Sequence, residues 1–130
     1  MTKYILIADD DKELCKTLSE CIKLQLAKTN CDYEIVYAYT PIDIEYKLKD
    51  YDIVLCLLDL IFEEFGSIDP IGLASRFPDT YFVVMSAYLD MIKPDNLVFF
   101  LAKPLAFDNL ATIMNMALSD NDNETPTTVQ

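Results

Sequence analysis

Short apolar runs alternate with stretches of helical spacing along the chain. Residues 4–8 have the sequence YILIA, an apolar run bounded by charge that is typical of a strand buried on both faces. Leu14, Leu18 and Ile22 then recur at helical spacing, and Asp11 is placed to cap the start of that helix. The beginning of the chain therefore predicts a buried strand followed by an amphipathic helix.

The same alternation continues towards the end of the chain. Further strands are predicted at 33–39, 53–58, 82–85 and 98–102. Helices are predicted after Thr40 and after Asp69, each with a proline at its first position, and over about 106–119. The third helix must end before Pro78, and Pro94 interrupts the fourth, so these two crossovers are expected to be short.

Strands that alternate with helices predict an α/β fold with an open parallel sheet covered on both faces. A chain of 130 residues has the length of one domain. Residues 1–119 are therefore expected to form that domain. Residues 120–130 have almost nothing to bury, and they are expected to form a disordered tail.

The charge and the composition exclude several kinds of function. A net charge of −12 opposes direct binding to nucleic acid, which depends on Lys and Arg, and it favours basic partners. No apolar stretch is long enough for a membrane span, and no signal peptide is recognisable, so no membrane insertion is expected.

The cysteine and histidine content narrows the chemistry further. Four cysteines without a C-x-x-C pair, in a chain without histidine, do not form a zinc set and indicate a reducing, cytoplasmic location. The absence of histidine also excludes Ser-His-Asp and Cys-His catalysis. Any covalent chemistry must therefore use another nucleophile.

Polar residues follow four of the predicted strands where each strand ends. Asp9 and Asp10 follow the first strand, Asp59 the third, Ser86 the fourth and Lys103 the fifth. In open α/β sheets, ligands bind beyond the carboxyl ends of the strands. Together these side chains predict a site for a hard divalent cation and an anion.

Magnesium explains why three adjacent acids can follow a core strand. Mg²⁺ prefers oxygen ligands and is commonly held by one or two carboxylates together with phosphate oxygens. A carboxylate beside the metal can also act as a nucleophile and form an aspartyl phosphate. We therefore expect phosphoryl transfer with Asp59 as the nucleophile, while Lys103 and Ser86 stabilise the charge on the transferring group.

Five short segments in order resemble the receiver domain of two-component response regulators. They are ILIADD, LCLLDL, VVMSA, FLAKP and FDNL, and the resemblance covers essentially residues 3–118. It implies a flavodoxin-like (βα)5 fold, a doubly wound parallel sheet with strand order 2-1-3-4-5. It also implies a signalling protein that catalyses only its own phosphorylation and dephosphorylation.

The resemblance further implies a role for each residue around the metal. Asp59 would accept a phosphoryl group from a sensor histidine kinase or a phosphotransfer protein. Besides Asp59, the Mg²⁺ ligands would be Asp10 directly, Asp9 partly through water, and the carbonyl oxygen of Ile61.

Three residues would act on the phosphoryl group or respond to it. Ser86 and Lys103 would contact the phosphate, and Phe100 would be the aromatic residue that packs inward when Ser86 moves. Because the chain has no room for an output domain, either the effector is a separate protein, or the chain is a fragment of a longer protein or a phosphate shuttle.

The chain departs from the family pattern after Asp59. Glu63 stands where proline is usual, the expected glycine is delayed to Gly66 or Gly72, and the loop geometry around Ile61 is left open. Ile61 and Tyr88 are bulky at positions that flank the phosphate. Our hypothesis is that they slow attack by water and lengthen the phosphorylated lifetime.

Three other interpretations stay open at this point. A degenerate receiver could bind partners without phosphorylation. A small phosphatase of the haloacid dehalogenase type would use Asp9 as its nucleophile and Asp11 as its general acid. In the simplest alternative, Asp11 caps the first helix, Asp9 and Asp10 merely face solvent, and Asp59 starts a turn.

Overall fold

The computed structural model describes residues 2–28, 32–86, 98–103 and 107–122. The strands are β1 (Lys3–Ala8), β2 (Tyr33–Ala38), β3 (Ile53–Asp59), β4 (Ile61–Phe62), β5 (Gly66–Ser67), β6 (Tyr81–Ser86) and β7 (Val98–Ala102). The helices are α1 (Lys12–Leu26), α2 (Pro41–Asp50), α3 (Pro70–Arg76) and α4 (Phe107–Asp122).

The main sheet is parallel, with strand order β2-β1-β3-β6-β7. Since β6 and β7 are the predicted fourth and fifth strands, the expected order 2-1-3-4-5 and the flavodoxin-like fold class are confirmed. Side chains of successive strand residues point to opposite faces. Along β1, Ile5 and Ile7 therefore pack with α1 and α4, while Leu6 and Ala8 pack with α2 and α3.

Each of three helices begins at a side chain that accepts a backbone hydrogen bond. The carboxylate of Asp11 accepts from the amide of Leu14 at 3.1 Å, and Oγ1 of Thr40 accepts from Asp43 at 3.2 Å. Asp69 caps α3 in the same way. These caps satisfy amides that the first turn of a helix leaves without partners, so the predicted helix starts are confirmed.

The segment after Asp59 forms a small hairpin that the sequence reasoning missed. Ile61 pairs with Ser67 and Phe62 with Gly66, in antiparallel orientation. The amide of Phe65 donates to the carbonyl of Phe62 at 2.9 Å, and Gly66 has a φ of 86°. The two glutamates and the glycine between Phe62 and Ile68 favour a turn, but strands of two residues are too short to show an alternating pattern, so the sequence carried only a turn signal.

Two further expectations concern the later crossovers. The third helix is short, with 7 residues, as predicted. Helix α4 runs to Asp122, beyond the predicted end at residue 119, because polar residues can extend the end of a helix without any apolar signal. The predicted break at Pro94 and the tail after residue 122 lie outside the described residues, and the boundary at 119 stays a prediction.

No helix in the described ranges is both long and apolar enough to span a membrane.

Candidate functional site

Three carboxylates meet at the carboxyl edge of the main sheet. Each of Asp9, Asp10 and Asp59 offers one oxygen atom, and these atoms lie within 4.8 Å of one another. The strand register explains the meeting, because Ala8 pairs with Leu58 on the neighbouring strand and the acids follow directly. Asp9 is 1% exposed and Asp59 is 8% exposed, so two of the three charges are buried.

Lys103 joins two of these acids. Its Nζ lies 2.9 Å from Oδ2 of Asp9 and 3.1 Å from Oδ1 of Asp59. Lys103 directly follows β7, which is separated from β3 by β6, so its long side chain crosses the end of one strand to reach the acids. Lys103 is the cation that contacts these two buried carboxylates in the described part of the chain, so its removal would leave them without that neutralising charge.

Backbone amides hold two of the other acidic oxygens. Oδ1 of Asp9 accepts from the amide of Asp11 at 3.0 Å. Oδ2 of Asp10 accepts from the amide of Glu63, in the hairpin turn, at 2.9 Å. Sequence reasoning missed the second contact, because a backbone donor 53 residues away leaves no pattern in the side chains.

The electrostatics of the cluster favour a cation. Burial and the neighbouring charge of Asp9 raise the pKa of Asp59, although Lys103 lowers it in part. Burial alone would lower the pKa of Lys103, but its hydrogen bonds and the charges of Asp9 and Asp59 raise it overall. Lys103 therefore stays charged. Its single positive charge faces the carboxylates of both Asp9 and Asp59, which leaves room for a second cation.

Cys15 is a second neighbour that the sequence reasoning left out of the site. Its Sγ donates to the carbonyl oxygen of Asp9 at 3.4 Å. Burial and the charges of Asp9 and Asp11 raise the pKa of this thiol to about 12. The thiol therefore stays protonated at neutral pH and does not compete with Asp59 as a nucleophile.

For Ser86 and Phe100 the structure gives the position of the backbone in the sheet. Asp59 pairs with Met85, so Ser86, the last residue of β6, lies at the same edge of the sheet. Phe100 lies in β7 and pairs with Val84. The side chains of Ser86 and Phe100, and all of Tyr88, lie outside what the structure describes, so their roles stay predictions.

The backbone around Ile61 fits its predicted use as a carbonyl ligand. The amide of Ile68 donates to the carbonyl of Leu60 at 2.8 Å. Because paired residues of an antiparallel ladder alternate between bonded and non-bonded pairs, Ile61 and Ser67 form a non-bonded pair. The ladder therefore does not use the Ile61 carbonyl. The side chain of Ile61 is 37% exposed.

Asp11 stands apart from the cluster. Its side chain is exposed and caps α1, as the simplest interpretation of the acids expected. The same interpretation placed Asp9 in solvent, and the burial of Asp9 contradicts that.

The donor set suits magnesium. Clustered carboxylate oxygens are the hard ligands that Mg²⁺ prefers, and a bound cation relieves the repulsion among them. Asp9, Asp10 and Asp59 could hold the ion together with the Ile61 carbonyl, while Lys103 would remain beside it to contact an anion.

Comparison by sequence finds no matching family model and no curated protein with a significant match. Comparison by structure does find similar proteins. The signal receiver domain of an HD domain-containing protein from Pseudomonas fluorescens Pf-5 superposes with a TM-score of 0.74 at 16% identity, over 97% of this chain and 93% of that one. The chain has the receiver-domain fold.

Two other receiver structures have slightly lower TM-scores. A two-component response regulator from Clostridium difficile has a TM-score of 0.68 at 21% identity, with 94% of this chain and 99% of that chain covered. A CheY-like response regulator receiver domain protein from Methanospirillum hungatei JF-1 has a TM-score of 0.70 at 17% identity, covering 95% and 99%. The receiver-domain fold thus accounts for nearly the whole length of each chain.

Proposed function

We propose that this chain is a phosphoacceptor receiver domain of a two-component phosphorelay. In this proposal Asp59 accepts a phosphoryl group from the phosphohistidine of a sensor kinase or phosphotransfer protein, with Mg²⁺ at the site. The observation that carries the proposal is the convergence of Asp9, Asp10, Asp59 and Lys103, from three strand ends, at one edge of a receiver-domain fold.

The chain's own residues supply most of what the transfer requires. The Asp59 carboxylate attacks phosphorus, a P–O bond forms, and the P–N bond to the donor imidazole breaks. Lys103 holds Oδ1 of Asp59, which fixes the orientation of the nucleophile, and its ammonium lies where an anion would arrive. Mg²⁺, when bound by the acids and the Ile61 carbonyl, would neutralise charge on the phosphoryl oxygens.

Signalling then requires different partner affinities in the two states. We propose that Ser86 and Phe100 rearrange on phosphorylation and that a separate effector protein senses the change. A net charge of −12 supports a protein partner rather than nucleic acid. The protein would catalyse only its own phosphorylation and dephosphorylation.

The geometry supports the two alternatives less well. A receiver that works without phosphorylation would have no need of this donor set, with three acids and a lysine all in place. A phosphatase of the haloacid dehalogenase type needs Asp9 to reach substrate and Asp11 to donate a proton. Asp9 is instead 1% exposed, against 8% for Asp59, and Asp11 caps a helix.

Intact mass after incubation with acetyl phosphate tests the proposal. Wild type is expected to gain one phosphoryl group only when Mg²⁺ is present, and Asp59→Asn is expected to gain none. Asp50→Asn makes the same charge change at an exposed position on α2 and should behave as wild type. Equal labelling of Asp59→Asn, or labelling independent of Mg²⁺, would overturn the proposal. Hydrolysis of a phosphate ester that is lost in Asp9→Asn would favour the phosphatase.

A further inference from the structure

The three acids of the site are held in different ways. Lys103 contacts Asp9 and Asp59, and thereby holds both carboxylates in the cluster. The hydrogen-bond partner of Asp10, in the part of the chain that the structure describes, is the backbone amide of Glu63 at 2.9 Å. Asp10 is half-buried and so has room to turn towards water.

Repulsion gives Asp10 a reason to leave the cluster. Its carboxylate lies close to two others, and like charges at such distances oppose one another. Lys103 offsets this repulsion for Asp9 and Asp59, but it does not contact Asp10. The Glu63 amide is therefore the group that opposes the outward rotation of Asp10.

The contact also leaves Asp10 able to bind metal. A carboxylate has two oxygens, and the amide occupies only Oδ2. One oxygen from each acid already lies within 4.8 Å of the others while this hydrogen bond is in place. The amide contact and an arrangement suited to a cation therefore coexist. Hydrogen bonds to ligating carboxylates commonly strengthen metal binding for this reason.

We propose that the backbone amide of Glu63 is a positioning group that holds Asp10 beside Asp9 and Asp59 and thereby raises the affinity of the site for Mg²⁺. The β4–β5 hairpin then has a function, since it brings this amide back over the end of β1. Glu63 stands where similar domains usually have proline, and proline has no N–H to donate. The inference rests on the magnesium site proposed above.

A pair of variants at residue 63 separates the amide from the side chain. Glu63→Pro removes the N–H, while Glu63→Ala keeps the N–H and removes the same carboxylate. Calorimetric titration with Mg²⁺ alone is expected to show a dissociation constant about 10-fold or more higher for Glu63→Pro than for Glu63→Ala. Equal constants for the two variants, or tighter binding by Glu63→Pro, would overturn the inference.

Hydrogen exchange on the wild type provides a measurement that needs no variant to fold. Coupling between two binding events is reciprocal, so if the amide contact favours Mg²⁺, then Mg²⁺ must favour the contact. Saturating Mg²⁺ is expected to slow exchange of the Glu63 amide about 10-fold, and Asp10→Ala is expected to abolish the slowing. Unchanged or faster exchange on addition of Mg²⁺ would refute the positioning role.

The results also distinguish the inference from the function on which it rests. If wild type binds Mg²⁺ and accepts a phosphoryl group, but residue 63 has no effect, only the positioning role is wrong. If wild type binds no Mg²⁺, both the positioning role and the metal-dependent function are wrong.

Discussion

Lys103 and Asp9 lie 94 positions apart in the chain, yet the lysine Nζ is 2.9 Å from Oδ2 of the aspartate. The aspartate side chain is 1% exposed, and that of the lysine is 24% exposed. Burial of a carboxylate is costly unless the group is paired, and among the described residues Lys103 is the cation that pairs with Asp9. The same ammonium contacts Asp59, so the lysine connects the ends of β1, β3 and β7.

Replacement of Lys103 by Met is expected to destabilise the metal-free domain by about 3 kcal/mol, because Asp9 and Asp59 are left buried without a cation. Urea unfolding measures this loss. Mg²⁺ should restore part of the stability of the variant, since the ion supplies the missing positive charge. Lys16→Met removes the same charge from an exposed position of α1 and should have little effect. Similar losses for the two variants would show that Lys103 does not neutralise the cluster.

Replacement of Gly66 by Ala tests the hairpin. Gly66 has a φ of 86°, and an L-residue in this region costs about 1 to 2 kcal/mol. No atom lies within 4 Å of an added methyl group, so the cost is one of backbone conformation and not of a clash. We expect a weakened hairpin and, through Glu63 and Asp10, weaker Mg²⁺ binding in calorimetry. Ser67→Ala, at an exposed neighbouring position, should bind Mg²⁺ as wild type does.

The lifetime of the phosphorylated state is expected to depend on Ile61. Ile61 is an exposed apolar residue (37%) two residues after the proposed acceptor, and we expect it to hinder the approach of water to the phosphoryl group. Ile61→Asn should hydrolyse the acyl phosphate about 10-fold faster, which corresponds to ~1.4 kcal/mol in the barrier. Loss of the label is followed by intact mass. Phe65→Asn makes a similar change at the exposed hairpin tip and serves as the control. Equal lifetimes for all three proteins would contradict the hypothesis.

The features that could be predicted from the sequence are those that short segments encode. Apolar runs such as Ile53–Asp59 mark buried strands, and Asp11 and Thr40 mark helix starts, because each depends on residues within one turn or one strand. The meeting of Asp9, Asp59 and Lys103 followed from one further rule, that the carboxyl ends of parallel strands share an edge.

The features that the sequence reasoning missed depend on the backbone. The amide of Glu63 is a donor that every residue except proline offers, so its role is visible only once the hairpin places it beside Asp10. The hairpin itself has only two residues in each strand, too few for an alternating pattern to stand out. Sequence patterns report side chains well and backbone donors poorly.

The raised pKa of Asp59 gives a final prediction, on how stability depends on pH. In the unfolded chain, the carboxyl of Asp59 has a pKa near the ordinary value of 3.8. In the metal-free folded protein this pKa is raised, so the folded protein binds a proton at Asp59 more readily than the unfolded chain does. The cost of charging this buried carboxyl is therefore absent below about pH 3.8, grows as the pH rises through the raised folded-state pKa, and is then constant. Asp59→Asn removes that cost, because the amide of similar shape has no charge.

The variant should accordingly exceed wild type in stability at pH 7. The difference should shrink as the pH falls towards 4. Urea unfolding of both proteins across this range, without metal, measures it. With Mg²⁺, wild type should become more stable than Asp59→Asn, because the ion binds the charged carboxylate of the folded protein. This binding strengthens as the pH rises, since the carboxyl must lose its proton to bind the metal. A constant difference between the two proteins across the range would show that charging Asp59 has no cost in the folded state.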